Sequence, residues 1–337
     1  MNVEYEVALK FYERLEDRKK SPSLHPFYVR ADAKRDDSLI PTFFVFTKGK
    51  EFLYHAFLLG KIKTTNFYDI QSSYGYGGPI ASTEDPEFLA KAWGHYKEWC
   101  LRNNVLVEFV RFHPLLQNWD YYNGDVVDDR RTVWIDLGTD DLLSSYSTRV
   151  RTAIKKAQKA GLCVEWVDPK DYVEVFFRYY SDAMVGLGAG IFYIFPKEYH
   201  RALLSWDAAR LALCKQDNKI VGASLFLFGP SLMEYHLAFT LQEGKKLSAN
   251  NLILHEAALL GKKLGLKRFH LGGGTNRDEK NPLLFFKEGF SNQKSIFKIG
   301  KKIYRHELYE GLKSTWIKKN GGISNRVLFY RFDEEGN

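Results

Sequence analysis

YHLAFTLQEGKKLSANNLILHEAALLGKKLGLKRFHLGGGTNRDEKNPLLFFKEGF, residues 235–290, sets out most of a fold in one run. YHLAFT (235–240) reads as a buried strand, and LQEGKKLSANN (241–251) as a polar loop. LILHEAALLGKKLG (252–265) is an apolar helix that closes on Gly265, a residue suited to the position after a helix. KRFHLGGG (267–274) is a second strand opening into a triple-glycine turn, and FFKEGF (285–290) sets a cation among aromatics. A strand whose loop presents backbone N–H groups at a helix N-terminus is a ready site for an anion.

The same order appears earlier in the chain. PTFFVFTKGKEFLYHAFLLGKI (41–62) is a hairpin around Lys48-Gly49-Lys50, and SSYGYGGPI (72–80) is a glycine-aromatic loop. EDPEFLAKAWGHYKEWCLRNN (84–104) is a helix with Pro86 in its first turn, and VLVEFVRFHP (105–114) is a strand stopped by Pro114. In the second half, ARLALCKQDNKIVGASLFLF (209–228) is again a hairpin, around Asp217-Asn218, ahead of the strand, helix and strand of the opening run. A chain of 337 residues is also long for one core. We therefore expect an α/β (α+β) protein of two tandem domains, each a mixed sheet flanked by helices. The first spans 1–140, with a C-terminal strand near 325–332 free to return to it, and the second spans 141–337.

Between the halves TVWIDL (132–137) reads as a strand. Leu143, Tyr146, Val150, Ile154 and Ala157 follow as one apolar helix face, with Asp140 or Asp141 to cap its start and Gly161 to end it. The opposite side carries Arg149, Arg151, Lys155, Lys156 and Lys159. A solvated face with cations near the helix C-terminus and an anion-binding face both fit that pattern.

Composition bounds the partners. Hydrophobic residues are 45% and charged residues 27%, which marks a globular chain. Aromatic residues at 15% fit large cores, or rings lining a long cleft. The net charge of +8 suits an anionic partner. Cys100, Cys163 and Cys214 form no CxxC pair and read as reduced thiols of a cytoplasmic protein. No apolar run approaches a membrane span, and residues 1–20 lack a signal-peptide core. The basic balance still leaves room for peripheral contact with the inner membrane face.

Taken in order, TVWIDL, YSTRVRTAIKKAQKAG, YHLAFT, the Asn-led helix, KRFHLGGG and FFKEGF resemble the FemABX family of the GNAT acyltransferase superfamily. YGYGGP and EFVRFHP in the first half resemble that family's relatives, so the likeness runs over roughly residues 70–310. It implies two tandem GNAT-like domains and acyl transfer to an amine. In the aminoacyl branch the donor is charged tRNA and the acceptor a peptidoglycan precursor. In the GNAT-like branch the donor is acyl-CoA and the acceptor a sugar amine or lysine. The long helical arm of many FemABX transferases has no counterpart here, because the stretch from Gly161 to Ala209 is only long enough for ordinary helices.

The segment GKKLSANN (244–251), with Lys245, Lys246, Ser248, Asn250 and Asn251, is the donor-site candidate. The pyrophosphate loop of GNAT enzymes resembles [Q/R]-x-x-G-x-[G/A], whose glycines let the backbone approach the phosphates. Here Lys245, Ser248 and Asn250 stand at the matching positions, which argues against tight coenzyme A binding while leaving two lysines for phosphate. The competing reading is a surface loop in which Ser248 or Asn250 caps the helix. FFKEGF resembles the family's Phe-Lys motif at Phe286 and Lys287. The resemblance puts Lys287 on the tRNA acceptor end or the developing oxyanion, with Phe286 as a stacking platform. Glu288-Gly289 suggests a turn that lifts Lys287 from the core; otherwise Phe285, Phe286 and Phe290 are core and Lys287 points to water.

His270 and His236 are candidate general bases, or packed histidines held by hydrogen bonds. Gly272 to Gly274 allow close backbone approach or a sharp turn. Tyr74 and Tyr76, with Arg111 and His113 at the end of the equivalent strand, are the candidate acceptor pocket, and arginine suits a diphosphate or carboxylate. No spacing points to a metal, and no cofactor is expected beyond acyl-CoA as a co-substrate. The expectation is an N-acyltransferase using aminoacyl-tRNA, with a nucleotide- or lipid-linked anionic envelope precursor as acceptor. An acyl-CoA enzyme acting on an amino sugar or nucleotide sugar, and a non-catalytic RNA-binding or scaffold protein, are the alternatives.

Overall fold

The computed structural model describes residues 1–322 and 325–332. Its elements are α1 (Tyr5–Arg14), α2 (Pro26–Asp32), β1 (Leu39–Lys48), β2 (Glu51–Lys61), β3 (Tyr68–Gln71), β4 (Ile80–Ala81), α3 (Pro86–Arg102) and β5 (Val105–Arg111). They continue as β6 (Asp125–Asp136), α4 (Leu142–Ser145), α5 (Thr148–Lys159), β7 (Cys163–Val167), α6 (Val173–Gly186), α7 (Lys197–Leu204), β8 (Ala209–Gln216) and β9 (Lys219–Phe228). The last are β10 (Leu232–Thr240), α8 (Gln242–Lys246), α9 (Ala249–Lys263), β11 (Arg268–Gly273), α10 (Pro282–Glu288), β12 (Lys294–Ile303) and α11 (His306–Asn320). No helix among the described residues is long and apolar enough to cross a membrane.

The chain forms two units. The first holds Met1–Lys19, Ser23–Asp128 and the chain from Lys298 onward. Its strands run in the order β1-β2-β3-β5-β12, with β4 on β2. Only β3 and β5 are parallel; the other neighbours are antiparallel. The β1–β2 hairpin turns at Gly49 with φ +62°, where the sequence places it. Asp85 starts α3 by accepting from the amides of Glu87 and Phe88, and Pro86 fills the first position, where its missing N–H costs nothing. Phe44, Phe52, Phe57, Phe88 and Tyr96 lead the main core of this unit. A smaller cluster of Leu106, Tyr309, Leu328 and Phe329 anchors α11 and the chain beyond it.

The strand expected near 325–332 is a turn followed by a 3-10 helix, Phe329–Phe332. It is fixed by side chains rather than by a ladder. Arg331 donates from Nε and Nη2 to the fully buried Asp69 carboxylate at 2.7 and 2.9 Å, and the Tyr330 hydroxyl donates to it at 3.0 Å. The division also departs from the expected 140/141 boundary. The second unit holds Lys20–Pro22 and Asp129–Phe297, so its ends fall inside β6 and β12, and the chain after 297 returns to the first unit. Pairing is the reason: β12 lies antiparallel to β5 from Ile299↔Arg111 to Ile303↔Val107, and Asp69 holds the segment beyond α11.

In the second unit the order is β6-β11-β10-β9-β8-β7, again with one parallel pair, β10 and β11. Each unit is thus the mixed sheet with flanking helices that the sequence predicts. The β8–β9 hairpin turns on Asp217 and Asn218 at φ +47° and +63°, a conformation these residue types tolerate. The single helix face expected over 143–157 is split. Asp141 caps α4 through the Leu143 amide at 2.9 Å, the chain breaks at Tyr146-Ser147, and α5 ends ahead of Gly161 at φ +73°. Tyr146, Val150, Ile154 and Ala157 enter the core with Leu252, Ile253 and Ala257 of α9, while Leu143 stays exposed because the break interrupts the helical period.

Replacing Arg331 with methionine leaves the Asp69 carboxylate buried without its cation. Breaking a buried pair from one side is strongly destabilising, so urea unfolding of Arg331→Met is expected to show a loss of about 3 kcal/mol. A change within about 0.5 kcal/mol, as for an ordinary surface substitution, would remove Asp69 as the anchor of the C-terminal segment.

Candidate functional site

In the second unit the parallel strands β10 and β11 stay paired for only three positions: Leu232↔Arg268, Met233↔Phe269 and Glu234↔His270. Beyond these, β10 follows β9 through an irregularity between Tyr235 and Leu237, and β11 follows β6 through another between His270 and Gly272. Gly272 sits at φ +77°, where a side chain would be strained. The pair therefore opens, and the main-chain groups of the two strands no longer have one another as partners.

One cation enters this opening. Asn281 starts α10 by accepting from the amides of Leu283 and Leu284 at 3.0 and 3.2 Å, with Pro282 in the first turn. The helix carries Lys287 inward, where Nζ donates to the Gly273 carbonyl at 2.7 Å and lies 5.9 Å from the centre of the Tyr235 ring. Lys287 is 6% exposed, and burial pulls its pKa down to about 7. The turn expected to lift Lys287 to solvent does not form; the residue is on the last turn of α10. Phe290 is core and Phe286 packs against it, with the two rings 5.5 Å apart, whereas Phe285 is 59% exposed.

Tyr235 is a site residue that sequence reasoning passes over. Its hydroxyl hydrogen-bonds the Asn250 side chain at 3.1–3.2 Å, and Asn250 Oδ1 accepts from Ser224 Oγ at 3.4 Å. Lys287, Tyr235 and Asn250 thus form one chain of neighbours against α9. The available signal is a polar ring tip at the head of the apolar run YHLAFT, beside the irregularity in β10.

Four of the five donor candidates sit on helices rather than on a loop, and Ser248 lies in the turn between α8 and α9. Residues 242–246 form α8, and Gly244 is buried so tightly that a Cβ there would lie 2.2 Å from the Val221 carbonyl oxygen. That glycine serves the packing of α8 on β9, not the approach of a phosphate. Lys245 and Lys246 are exposed. Ser248 is left-handed at φ +64° and gives α9 no side-chain cap, and Asn250 turns to Tyr235, so the capping reading fails for both. Asn250 and Asn251 lie in the first turn of α9, and the Asn251 amide already donates to the Ser248 carbonyl at 3.0 Å.

The two histidines stand at the two irregularities, His236 in that of β10 and His270 at the start of that of β11. Phe269 and Leu271, on either side of His270, both join the core with α9, so His270 belongs to the opposite face of β11 and is 1% exposed. His236 Nε2 lies 2.9 Å from the Tyr199 hydroxyl of α7, and burial pulls its pKa to about 4. So weak a base is poorly matched to taking a proton from an attacking ammonium.

Within the first unit, the four acceptor candidates gather at the end of β5. Ser72 Oγ accepts from the Arg111 amide at 2.9 Å, and the Gly77 amide donates to the Arg111 carbonyl at 2.7 Å. The Tyr76 and His113 rings meet edge-on at 5.1 Å, and the Arg111 guanidinium lies 5.5 Å from the centre of Phe109. The Tyr74 amide donates to Asp32 at 2.9 Å. Here the parallel pair is continued rather than opened: the Ser72 amide donates to the Phe109 carbonyl at 3.2 Å, and Gly77 bridges to Phe112.

Residues 144–281 match a family model described as an acetyltransferase (GNAT) domain. No curated protein matches the chain at the sequence level. The solved structure of FemX superposes with a TM-score of 0.70 at 15% identity, covering 93% of this chain and 99% of FemX. The C-terminal domain of a putative lysylphosphatidylglycerol synthetase from Agrobacterium fabrum gives 0.61 at 13% identity, covering 93% and 97%. L-PGS from Bacillus licheniformis gives 0.59 at 13% identity, covering 94% and 95%. At these identities the likeness shows the fold: two tandem GNAT-like units of the FemX type, as expected from the sequence.

The Lys287 amine makes a pH prediction. Its folded pKa of about 7 lies below the ordinary lysine value of 10.5, so between those values the unfolded chain binds more protons and stability rises with pH. Below pH 7 the buried charge exerts its full cost. Lys287→Met, similar in length and neutral, is expected to be more stable than wild type at pH 6, with the gap shrinking by pH 9. Urea midpoints of both proteins at the two pH values check this; an equal gap at both would show that the amine keeps an ordinary pKa.

Proposed function

We propose that the chain is an N-acyltransferase that moves an aminoacyl group from aminoacyl-tRNA to an amine of an anionic, peptidoglycan-type envelope precursor, nucleotide- or lipid-linked. The observation that carries this reading is the buried Lys287 amine held by the Gly273 carbonyl in the opening between β10 and β11. It sits in a fold shared with FemX along 93% of the chain.

The chemistry follows from that placement. The neutral acceptor amine attacks the donor's ester carbonyl. A C–N bond forms, the ester C–O bond breaks, and the ribose hydroxyl leaves with the proton the amine gives up. Negative charge gathers on the carbonyl oxygen in between, and the Lys287 ammonium, with N–H groups of the parted strands, is aimed at it. The ammonium has three donors and Gly273 takes one, which leaves two for the reacting oxygen and solvent. Phe286, packed on Phe290, fixes the turn that carries Lys287. Lys245, Lys246, Ser248, Asn250 and Asn251 receive donor phosphate at the start of α9. Tyr74, Tyr76, Arg111 and His113 receive the charged part of the acceptor. His236, whose pKa burial pulls to about 4, is the weaker of the two candidate bases, and His270 keeps that candidacy. Holding both substrates in line supplies much of the rate. Charged tRNA places the reaction in the cytoplasm.

A second reading, acyl-CoA as donor to an amino sugar, keeps the support of the GNAT match over 144–281. The α8–α9 segment favours tRNA over coenzyme A, because its glycine is used for packing and the later positions are Ser248 and Asn250. A non-catalytic scaffold has no use for a lysine amine whose burial costs stability.

The test offers the protein a radiolabelled aminoacyl-tRNA pool with a nucleotide-linked peptidoglycan peptide, and acetyl-CoA in parallel. Transfer from tRNA is expected, with acetyl-CoA binding weakly or not at all by calorimetry. Lys287→Met is expected to lose about 2–4 kcal/mol of transition-state stabilisation without a fall in melting temperature. Because the charged form does the work, the wild-type rate is expected to fall as pH rises through about 7. Low-micromolar acetyl-CoA affinity with acetyl transfer would establish the second reading. Unchanged turnover in Lys287→Met would remove Lys287 from the mechanism.

A further inference from the structure

We infer that the outer stripe of α5, together with Phe285, docks single-stranded RNA; it rests on the reading above, in which that strand is the 3′ end of the donor. The helix reads TRVRTAIKKAQK, with Arg149, Arg151, Lys155, Lys156 and Lys159 and no acid. Val150, Ile154 and Ala157 turn inward to the core. At about 3.6 residues per turn, Arg149, Thr152, Lys156 and Lys159 fall on one outward stripe, and all four are exposed. Among the described residues, no ion pair engages Lys156 or Lys159. Arg151, on the other edge, is committed to the Tyr146 carbonyl and the Thr148 hydroxyl.

The stripe begins at an aromatic platform. The Arg149 guanidinium lies 3.9 Å from the centre of the Phe285 ring and donates to the Phe285 carbonyl, while the ring stays 59% exposed. The Ser147 amide donates to the Gly289 carbonyl at 2.8 Å, so the start of α5 and the end of α10 are held as one piece. The nearby Glu288 carboxylate is occupied by Lys294 at 2.6 Å. Along the axis, Lys156 and Lys159 stand about 10 and 15 Å from Arg149, an interval of a few nucleotides. A base stacks on an exposed ring beside a guanidinium, and ammonium groups track the following phosphates. Phe285 and Lys287 are carried by the same helix, two residues apart and so on opposite sides of it, Phe285 facing out and Lys287 facing in.

A membrane surface is the competing partner for a basic helix. Insertion into a bilayer requires an apolar face, and the apolar face of α5 is buried in the protein core; attraction to anionic lipid by charge alone is what the vesicle arm of the test reads. The stripe itself carries only cations and a threonine.

The experiment measures fluorescence anisotropy of a labelled twelve-nucleotide single-stranded RNA ending in CCA, over a range of salt, with the full-length protein. Lys156→Gln/Lys159→Gln is expected to weaken binding at low salt about tenfold or more. It should also lower the slope of log affinity against log salt by about 1.4, the value for two phosphates on a single strand. Phe285→Ala is expected to weaken binding about tenfold with the slope unchanged, since stacking releases no counterions. Melting temperatures of both variants should match wild type. Equal RNA binding by wild type and variants overturns the surface, as does wild-type binding to phosphatidylglycerol vesicles but not to RNA. If wild type transfers from aminoacyl-tRNA while the variants bind RNA normally, only this surface falls. If wild type transfers nothing from aminoacyl-tRNA, the donor assignment falls, whatever the RNA result.

Discussion

The second unit is organised by the point at which β10 and β11 cease to pair. Backbone groups need partners, and each strand satisfies this by staying with its outer neighbour, β9 or β6, through a local irregularity. What remains between them is a gap lined with main-chain polar groups. A lysine amine in such a gap is expensive to keep charged, and its pKa falls to about 7. The surrounding parts hold it there: Asn281 sets the start of α10, Gly273 takes one donor, and Tyr235 is tied to Asn250 at the head of α9. A perturbed group set in an opening of the sheet is a functional-site candidate, and it is the opening beside Lys287 that singles it out.

The first unit follows the same plan without the gap. Its parallel pair, β3 and β5, is extended by Ser72 and Gly77, which bond to Phe109 and Arg111 where the other unit parts. A loop of SSYGYGGPI type, with small residues and glycines, is what allows that close stitching. The two units share the hairpin, the parallel pair and the antiparallel strand beside it, and they differ in whether that parallel pair is opened or continued; the proposed division of labour between donor and acceptor rests on that difference.

Much of the fold was legible because it is local. The hairpins at Gly49 and Asp217-Asn218, the Asp85-Pro86 helix start and the alternation of strands with helices are short-range patterns, and they formed where expected. The misreadings share a different cause. Residues 242–246 look like a loop because four polar residues and a glycine carry no period; the helix exists because Gly244 fits against the carbonyl of Val221, on β9. FFKEGF looks like a turn because its helix is started by Asn281, outside the motif. The C-terminal segment joins the first unit as the sequence allows, but as a turn and 3-10 helix rather than a strand, because Asp69 and Arg331, 262 residues apart, hold it by side chains and no local pattern encodes that pairing. The motif marks Lys287 but not its burial, because the carbonyl that receives it belongs to β11, outside FFKEGF.

The central claim is that the acyl group reacts in the gap beside Lys287. It is tested most directly by a crystal structure of the protein with a short RNA whose terminal ribose carries an amino acid through a non-cleavable amide. The account predicts the amide carbonyl oxygen within hydrogen-bond distance of Lys287 Nζ, between β10 and β11. A carbonyl bound elsewhere, with Lys287 still donating only to Gly273, would contradict it.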